Sequence, residues 1–245
     1  MKPTEKERLK ERTIRSDWST ECLSSSPSAP RMLELSAGAA KAYAPGSLRL
    51  ISNLLSESEC NALIVAAERV GFGRTDYPKA YRGNLRLMAT DESLADALWR
   101  RLQPHVPHMI ERRVLPWKPD SSKEVWEAVG LNERFRLAKY YPDDRFCQHV
   151  DAAFTRFRGV EESLFTVNIY LNMLPTSAQG ATCFYSGEES SSTLVLRVVP
   201  QAGLACIFLQ PPEAHILHDG EAVGEGHVKY LLRTDVIYRR KHVVK

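Results

Sequence analysis

The sequence predicts an α+β fold that is mainly β, in which helices support a β-sandwich or barrel. Apolar residues recur at helical spacing between residues 56 and 112. From Glu133 onward, short strand-like segments alternate with turns. Helices followed by strands are typical of helices packed on a sheet, and a chain of 245 residues can bury a sizeable core.

The chain is predicted to divide into a tail and one domain. Residues 1–45 contain a Ser/Pro-rich run at 24–30 and few large apolar residues, so burial cannot offset the entropy cost of ordering them. We therefore expect a disordered tail. The single domain is predicted over residues 46–245, with helical support in 56–112 and the β core in 133–240.

Two amphipathic helices are predicted in the helical part. Ser56 and Glu59 have the spacing of a capping box, and the helix that they open ends near Gly71. Asp91 is predicted to cap the second helix. Residues 115–130, which contain two prolines, are predicted to be a connector or a lid.

The predicted strands are short and separated by turns. One strand precedes the helices at residues 48–51. The other segments are 134–141, 146–150, 164–174, 181–185, 194–199, 205–209 and 229–238.

Composition excludes several classes of protein. The five cysteines are widely spaced and form no CxxC pair, which is typical of reduced thiols. A net charge of +3 is too small to indicate a nucleic-acid or membrane partner. No apolar run is long enough to span a membrane and no secretory signal is seen, so we expect a cytoplasmic or nuclear protein. The oligomeric state is left open.

A metal site is the strongest functional signal. His149 and Asp151 are two residues apart, so on a strand both side chains point to the same face. His218 follows a later apolar strand and completes a set of two histidines and one carboxylate, the facial triad of non-haem iron oxygenases. His215 is the competing third ligand. The Cys147 thiol is a further candidate ligand, which we weigh against an ordinary strand cysteine.

Several blocks resemble the prolyl 4-hydroxylase-like branch of the 2-oxoglutarate/Fe(II) dioxygenases, over about residues 48–240. The blocks are RLAKY (136–140), FCQHVD (146–151), NIYLN (168–172), GATCF (180–184), VPQAG (199–203) and the stretch from HDG (218–220) to KYLLRTDV (229–236). The resemblance implies a double-stranded β-helix (jelly-roll, cupin-like) core. It also implies that His149, Asp151 and His218 hold Fe(II).

The resemblance further implies a pocket for 2-oxoglutarate. The family places a Lys or Arg about ten residues after the second histidine, to pair with the far carboxylate of the co-substrate. Lys229 matches at a spacing of eleven, and Arg233, on the same strand face, is the alternative. Tyr170 and Tyr140 match two family tyrosines near that carboxylate.

The implied activity is hydroxylation of a C–H bond with O2 and 2-oxoglutarate, which yields succinate and CO2, and with ascorbate as a supporting reductant. The resemblance suggests a peptidyl, prolyl-type substrate, with Arg82, Asn84 and Arg86 of a polar, aromatic loop (77–86) as contacts; Asn168 is a further lining candidate. A small molecule or a nucleic-acid base is the alternative substrate, nucleic acid being disfavoured by the charge. Two other functional hypotheses stay open: a catalytically degenerate jelly-roll scaffold, and a zinc hydrolase.

Overall fold

The computed structural model describes residues 12–15, 18, 22–23, 29–113, 123–187 and 191–241. Three α-helices lie in this part of the chain: α1 (Ala37–Ala42), α2 (Glu57–Val70) and α3 (Glu92–Leu102). The strands before the metal-site motif are β1 (Arg12–Arg15), β2 (Arg31–Leu33), β3 (Leu48–Ser52), β4 (Gly73–Arg74), β5 (Leu85–Thr90), β6 (Met109–Arg113), β7 (Lys123–Leu131) and β8 (Arg134–Tyr140). The later strands are β9 (Phe146–His149), β10 (Thr155–Arg156), β11 (Glu161–Tyr170), β12 (Thr182–Ser186), β13 (Thr193–Val198), β14 (Ala205–Leu209), β15 (His218–Gly220) and β16 (Lys229–Arg240).

The strands form two sheets that pack against each other. The large sheet has the order β1-β5-β8-β16-β11-β14-β3-β2, and the small sheet has the order β13-β12-β15-β9. Phe184 of the small sheet packs with Tyr170 and Phe208 of the large sheet in an apolar cluster between them. The predicted β-sandwich is therefore confirmed, and all seven strands predicted after residue 133 are present.

Strand β16 shows how period-two alternation divides the large sheet into two faces. Leu232, Val236 and Tyr238 belong to the main core, which also contains helix residues such as those of α2 and α3. Leu231 belongs to the cluster between the sheets, and Lys229 is two residues away on the same face. The helices therefore cover one face of the large sheet, and polar groups on the other face look toward the small sheet.

The helix starts follow the predicted caps. The Ser56 hydroxyl accepts a hydrogen bond from the Glu59 amide at 3.2 Å, and the Glu59 carboxylate accepts one from the Ser56 amide at 2.8 Å. Asp91 accepts from the Leu94 amide at 2.9 Å. Glu59 also pairs with buried Arg101 of α3 at 2.8 Å, so the cap of one helix is tied to the next helix.

The prediction of a disordered tail over residues 1–45 is wrong for the part that the structure describes. β2 pairs with β3, β1 pairs with β5, and α1 has Ser36 as its N-cap. β2 is exposed at all three positions and is held by backbone hydrogen bonds to β3, which composition does not report. Elsewhere in the tail, Ile14, Leu35 and Tyr43 are partly buried against the apolar clusters. The remaining tail residues lie outside the described part.

Two other segments differ from their predictions. Within the predicted connector 115–130, the described residues belong to β7, which pairs with β6 and β16. Trp126 and Ala128 of β7 are buried at alternating positions, a signal that the nearby prolines obscured. The predicted loop 77–86 runs into β5. In the described chain, no helix is long and apolar enough to cross a bilayer.

Candidate metal and co-substrate site

Strand pairing in the small sheet brings the three predicted ligands together. His218 at the start of β15 is the direct cross-strand partner of His149 at the end of β9. The His149 Nε2 and His218 Nε2 atoms lie 3.6 and 3.7 Å from the two oxygens of Asp151. The donor atoms of the three residues lie within 4.8 Å of one another, and no other such cluster is found in the described residues. His215 is exposed, so the preference for His218 is supported.

Both histidines present a free lone pair toward this point. The His149 Nδ1 atom lies 2.8 Å from the Cys147 carbonyl oxygen, and the His218 Nδ1 atom lies 3.0 Å from the Ile216 carbonyl oxygen. A carbonyl can only accept, so each Nδ1 carries the hydrogen and each Nε2 is available to a metal. The Cys147 thiol donates to the Ala80 carbonyl; residue 147 thus serves the site through its backbone.

Burial keeps both imidazoles neutral. It lowers the pKa of His149 to about 3, with repulsion from His218 as the second cause. It also lowers the pKa of His218. A neutral imidazole is the form that binds a metal, so neither ligand has to lose a proton near neutral pH.

Asp151 is ionised and held in one orientation. Burial alone would raise its pKa, but the charge of Arg233 holds the pKa well below its usual range. Its oxygens accept from Arg233 Nη1 at 2.6 Å and from the Thr166 hydroxyl at 2.8 Å. Two neutral imidazoles and one carboxylate fit a divalent metal such as Fe(II) that keeps open coordination positions.

Arg233 belongs to a network of paired charges. Besides Asp151, it lies 3.5 Å from Asp235. Asp235 also pairs with Arg136 at 3.2 Å and accepts from Gln210 at 2.9 Å. The Arg233 charge is therefore already compensated by two carboxylates.

Lys229 has the opposite surroundings. It is 1% exposed, and no ion pair involves it in the described chain. Its Nζ lies 5.1 Å from the Tyr140 ring centroid and 5.7 Å from that of Tyr170. Burial lowers its pKa to about 8. A buried ammonium without a carboxylate is costly unless a ligand supplies the opposite charge.

Hydroxyl groups lie around this lysine. Thr182 lines the cavity, and its hydroxyl is hydrogen-bonded to the Tyr170 hydroxyl at 2.7 Å. Tyr170 does not line the cavity, so it stands behind Thr182. Tyr140 lines the cavity together with Asn168, whose buried Oδ1 has no hydrogen-bond partner in the described chain. Thr182 was missed because a threonine in a strand gives no signal in sequence.

The cavity joins the metal ligands, the lysine and a set of arginines. Of the predicted substrate contacts, Arg82 and Arg86 line it. Asn84 is buried, accepts from Arg82 Nε at 3.2 Å and lines an adjoining cavity instead. Arg136 and Phe146 also line the metal cavity and were not predicted to do so. Their side chains reach it because β8 and β9 lie in facing sheets.

Comparison with known proteins supports this fold. No protein-family model matches the chain, and no curated protein matches its sequence. A prolyl-4-hydroxylase from Pseudomonas putida is 16% identical, with a TM-score of 0.51 over 81% of this chain and 95% of that one. A Trichoplax adhaerens prolyl hydroxylase, in complex with a hypoxia inducible factor oxygen degradation domain peptide fragment, is 15% identical, with a TM-score of 0.51 over 78% of this chain and 84% of that one.

A third solved structure carries ligands. HygX from Streptomyces hygroscopicus, with nickel and 2-oxoglutarate bound, is 12% identical, with a TM-score of 0.52 over 84% of this chain and 87% of that one. At these identities the likeness shows a shared fold. The double-stranded β-helix prediction is confirmed, and the resemblance to prolyl 4-hydroxylase-like dioxygenases is confirmed at the level of the fold.

Proposed function

We propose that this protein is an Fe(II)- and 2-oxoglutarate-dependent dioxygenase that hydroxylates a C–H bond of a peptidyl, prolyl-type substrate. One observation carries the proposal. A cluster of two neutral imidazoles and a carboxylate shares a cavity with a buried lysine that forms no ion pair in the described chain. The first group suits the metal and the second suits the far carboxylate of a keto acid.

Each residue has a separate role in this proposal. His149, Asp151 and His218 hold the metal. Lys229 pairs with the far carboxylate of 2-oxoglutarate, and Arg233 orients Asp151. When bound, iron would activate O2, the oxidant, and 2-oxoglutarate would be oxidised to succinate and CO2, so that one oxygen atom enters succinate and the other forms the hydroxyl group on the substrate.

The remaining lining groups position the co-substrate. The Thr182 hydroxyl, backed by Tyr170, and the Tyr140 hydroxyl are donors beside the lysine. The buried Asn168 oxygen is an unused acceptor in the same cavity. The apolar parts of Tyr140 and Leu231 limit access of water, which strengthens the lysine–carboxylate attraction. We expect ascorbate to support sustained turnover.

The test is succinate formation from 2-oxoglutarate by the purified protein with Fe(II) and ascorbate. We expect slow turnover in the wild type, faster turnover with prolyl peptides, and at least a 100-fold loss in His149→Ala. His215→Ala is the matched control, because that histidine is exposed three residues before His218. Normal turnover in His149→Ala would refute the metal assignment. A wild type that binds zinc and makes no succinate would favour a hydrolase, and one that binds neither metal nor co-substrate would favour a scaffold.

A further inference from the structure

We infer that the substrate carries an anionic group, a carboxylate or a phosphate, which Arg82 binds beside the metal site. This inference rests on the proposed function and narrows its substrate class. It begins from the charges that line two adjoining cavities.

The lining of both cavities is rich in cations. Besides Lys229 and Arg233, the metal cavity is lined by Arg82, Arg86 and Arg136. Its carboxylates are the metal ligand Asp151 and the neighbouring Asp219. The adjoining cavity shares Arg82, adds Arg74 and Lys79, and has no carboxylate among its lining residues. Such a lining favours a negatively charged ligand.

Arg82 lies close to the reaction centre. Its guanidinium carbon is 4.3 Å from the Phe146 ring centroid, and that ring is stacked on His149 at 3.7 Å. One aromatic ring therefore separates the guanidinium from a metal ligand. One substrate molecule can therefore place its anionic group on Arg82 while its C–H bond faces the metal.

The backbone holds Arg82 in place. The residue forms a bridge with Phe146, and the next amide, that of Gly83, donates to the Arg145 carbonyl at 2.8 Å. Position 83 needs glycine for this close contact between the two backbone segments, since a Cβ there would lie 2.8 Å from the Asp144 carboxylate. The Arg82 Nε donates to Asn84, which orients the guanidinium plane.

The end of the Arg82 side chain is uncompensated. In the described part of the chain, no carboxylate pairs with it and its terminal nitrogens have no acceptor. By contrast, Arg101, Arg112 and Arg233 each meet a carboxylate within 3 Å. Burial lowers the pKa of Arg82, and the charges of Arg86 and Arg233 lower it further. An anion would relieve that repulsion.

The chemistry of guanidinium defines the ligand. Its planar pair of donors matches the two oxygens of a carboxylate or phosphate, which a neutral prolyl peptide does not offer at that point. Exposed Tyr77 and Tyr81 flank Arg82 and extend the aromatic surface from Phe146 to solvent. The anion source is therefore either an acidic side chain in a peptide or a small anionic molecule.

The test uses protein loaded with Mn(II) and N-oxalylglycine, so that the metal and Lys229 are occupied. Three labelled pools of prolyl peptides, identical except for Glu, Gln or Lys at the variable positions, are titrated by fluorescence anisotropy. Inorganic phosphate is titrated separately by calorimetry. We expect the Glu pool to bind at least about tenfold more tightly than the Gln pool, about 1.4 kcal/mol, and the Lys pool to bind worst.

Arg82→Gln should abolish the preference while retaining Mn(II) and N-oxalylglycine. Arg100→Gln, an exposed arginine on α3, is the control and should retain the preference. Phosphate binding that Arg82→Gln removes, without any peptide preference, also supports the inference and assigns a small anionic substrate. Loaded wild type with equal affinity for all pools and no phosphate binding overturns this inference alone. Failure of the wild type to bind Mn(II) and N-oxalylglycine overturns the proposed function and, with it, this inference.

Discussion

Lys229 and Arg233 lie four residues apart on the same face of β16, yet their surroundings are opposite. Arg233 meets Asp151 at 2.6 Å and Asp235 at 3.5 Å. Lys229 is instead buried beside two tyrosine rings and forms no ion pair with any described residue. A cation that is paired with carboxylates of its own chain has its charge compensated within the folded protein. An unpaired buried cation has a cost that a negatively charged ligand can offset. In our proposal the co-substrate therefore binds Lys229, and Arg233 orients the metal ligand Asp151.

The largest expected effect concerns the stability of the metal-free protein. Arg233→Gln leaves buried Asp151 without its cation, whereas Asp235 keeps its pair with Arg136. We therefore expect a loss of about 3–5 kcal/mol in the free energy of unfolding. Lys229→Met removes a charge that nothing pairs with and should leave stability equal or higher at pH 7. Urea unfolding measures both. If both variants lost the same free energy of unfolding, Lys229 and Arg233 would not differ in how they are paired.

Asp151→Ala is affected by the same network. It abolishes metal binding but also leaves the Arg233 guanidinium without its closest carboxylate, so it should unfold more easily than His149→Ala. The structure makes His149→Ala the cleaner test of catalysis.

The second effect separates the two ligands of the cavity. Lys229→Ala should weaken 2-oxoglutarate binding by about 10- to 100-fold, the worth of a charge-assisted hydrogen bond, and leave metal affinity unchanged. Arg233→Gln should instead weaken metal binding by about 10- to 100-fold, because Asp151, a metal ligand, would lose the hydrogen bond that orients it. Calorimetric titration of Mn(II) and then 2-oxoglutarate measures both constants. If Arg233→Gln weakens only 2-oxoglutarate, the anchor has been assigned to the wrong residue.

The third effect is a pH dependence that Lys229 alone should produce. Burial places its pKa at about 8, below the usual lysine value. Binding of the carboxylate requires the protonated form, so affinity for 2-oxoglutarate should be constant below about pH 7. It should then fall by roughly tenfold per pH unit above pH 8. Lys229→Arg should remove this fall, because arginine does not titrate in that range.

Stability should respond to pH in the opposite direction. Above pH 8 the folded protein loses the Lys229 proton while the unfolded chain keeps its own up to the ordinary lysine value. The unfolded state then binds more protons, so the free energy of unfolding contributed by this group rises with pH from about 8 upward. Below about pH 8 both states are protonated, so the group adds no pH dependence and the cost of its buried charge is present in full. A Lys229→Met variant with the same rise would contradict this assignment.

The smallest effect tests the hydroxyl pair beside the lysine. Thr182→Val keeps the shape of the side chain but loses the 2.7 Å bond to Tyr170. We expect about 1 kcal/mol, or roughly fivefold, in 2-oxoglutarate affinity, and Thr182→Ser should restore it. An unchanged dissociation constant in Thr182→Val would mean that this pair only supports the packing.

Much of the site followed from local pattern. The His149–Asp151 spacing, the two helix N-caps and the strand alternation are properties of neighbouring residues, and the structure confirms them. The choice between Lys229 and Arg233 was not local, because it depends on Asp151, which lies 82 residues before Arg233 in the chain and meets it only in the fold. Arg136 and Thr182 were missed for the same reason. β15 was missed because three residues ending in glycine carry no strand periodicity.

The N-terminal segments show another limit of predicting structure from sequence pattern. β2 is stabilised by pairing with the edge of β3, and its exposed side chains give no burial signal. Backbone pairing of this kind depends on which edge is left open by the rest of the fold. The same holds for Arg82, whose position next to His149 results from a bridge between a loop and β9.

The most direct measurement is an anaerobic titration of 2-oxoglutarate into Fe(II)-loaded protein, followed by visible absorption. Chelation of the iron by the keto acid should produce a charge-transfer band in the wild type. The band should be lost in His149→Ala and should appear in Lys229→Ala only at much higher 2-oxoglutarate concentrations. Iron binding without any band in the wild type would contradict the proposed chemistry.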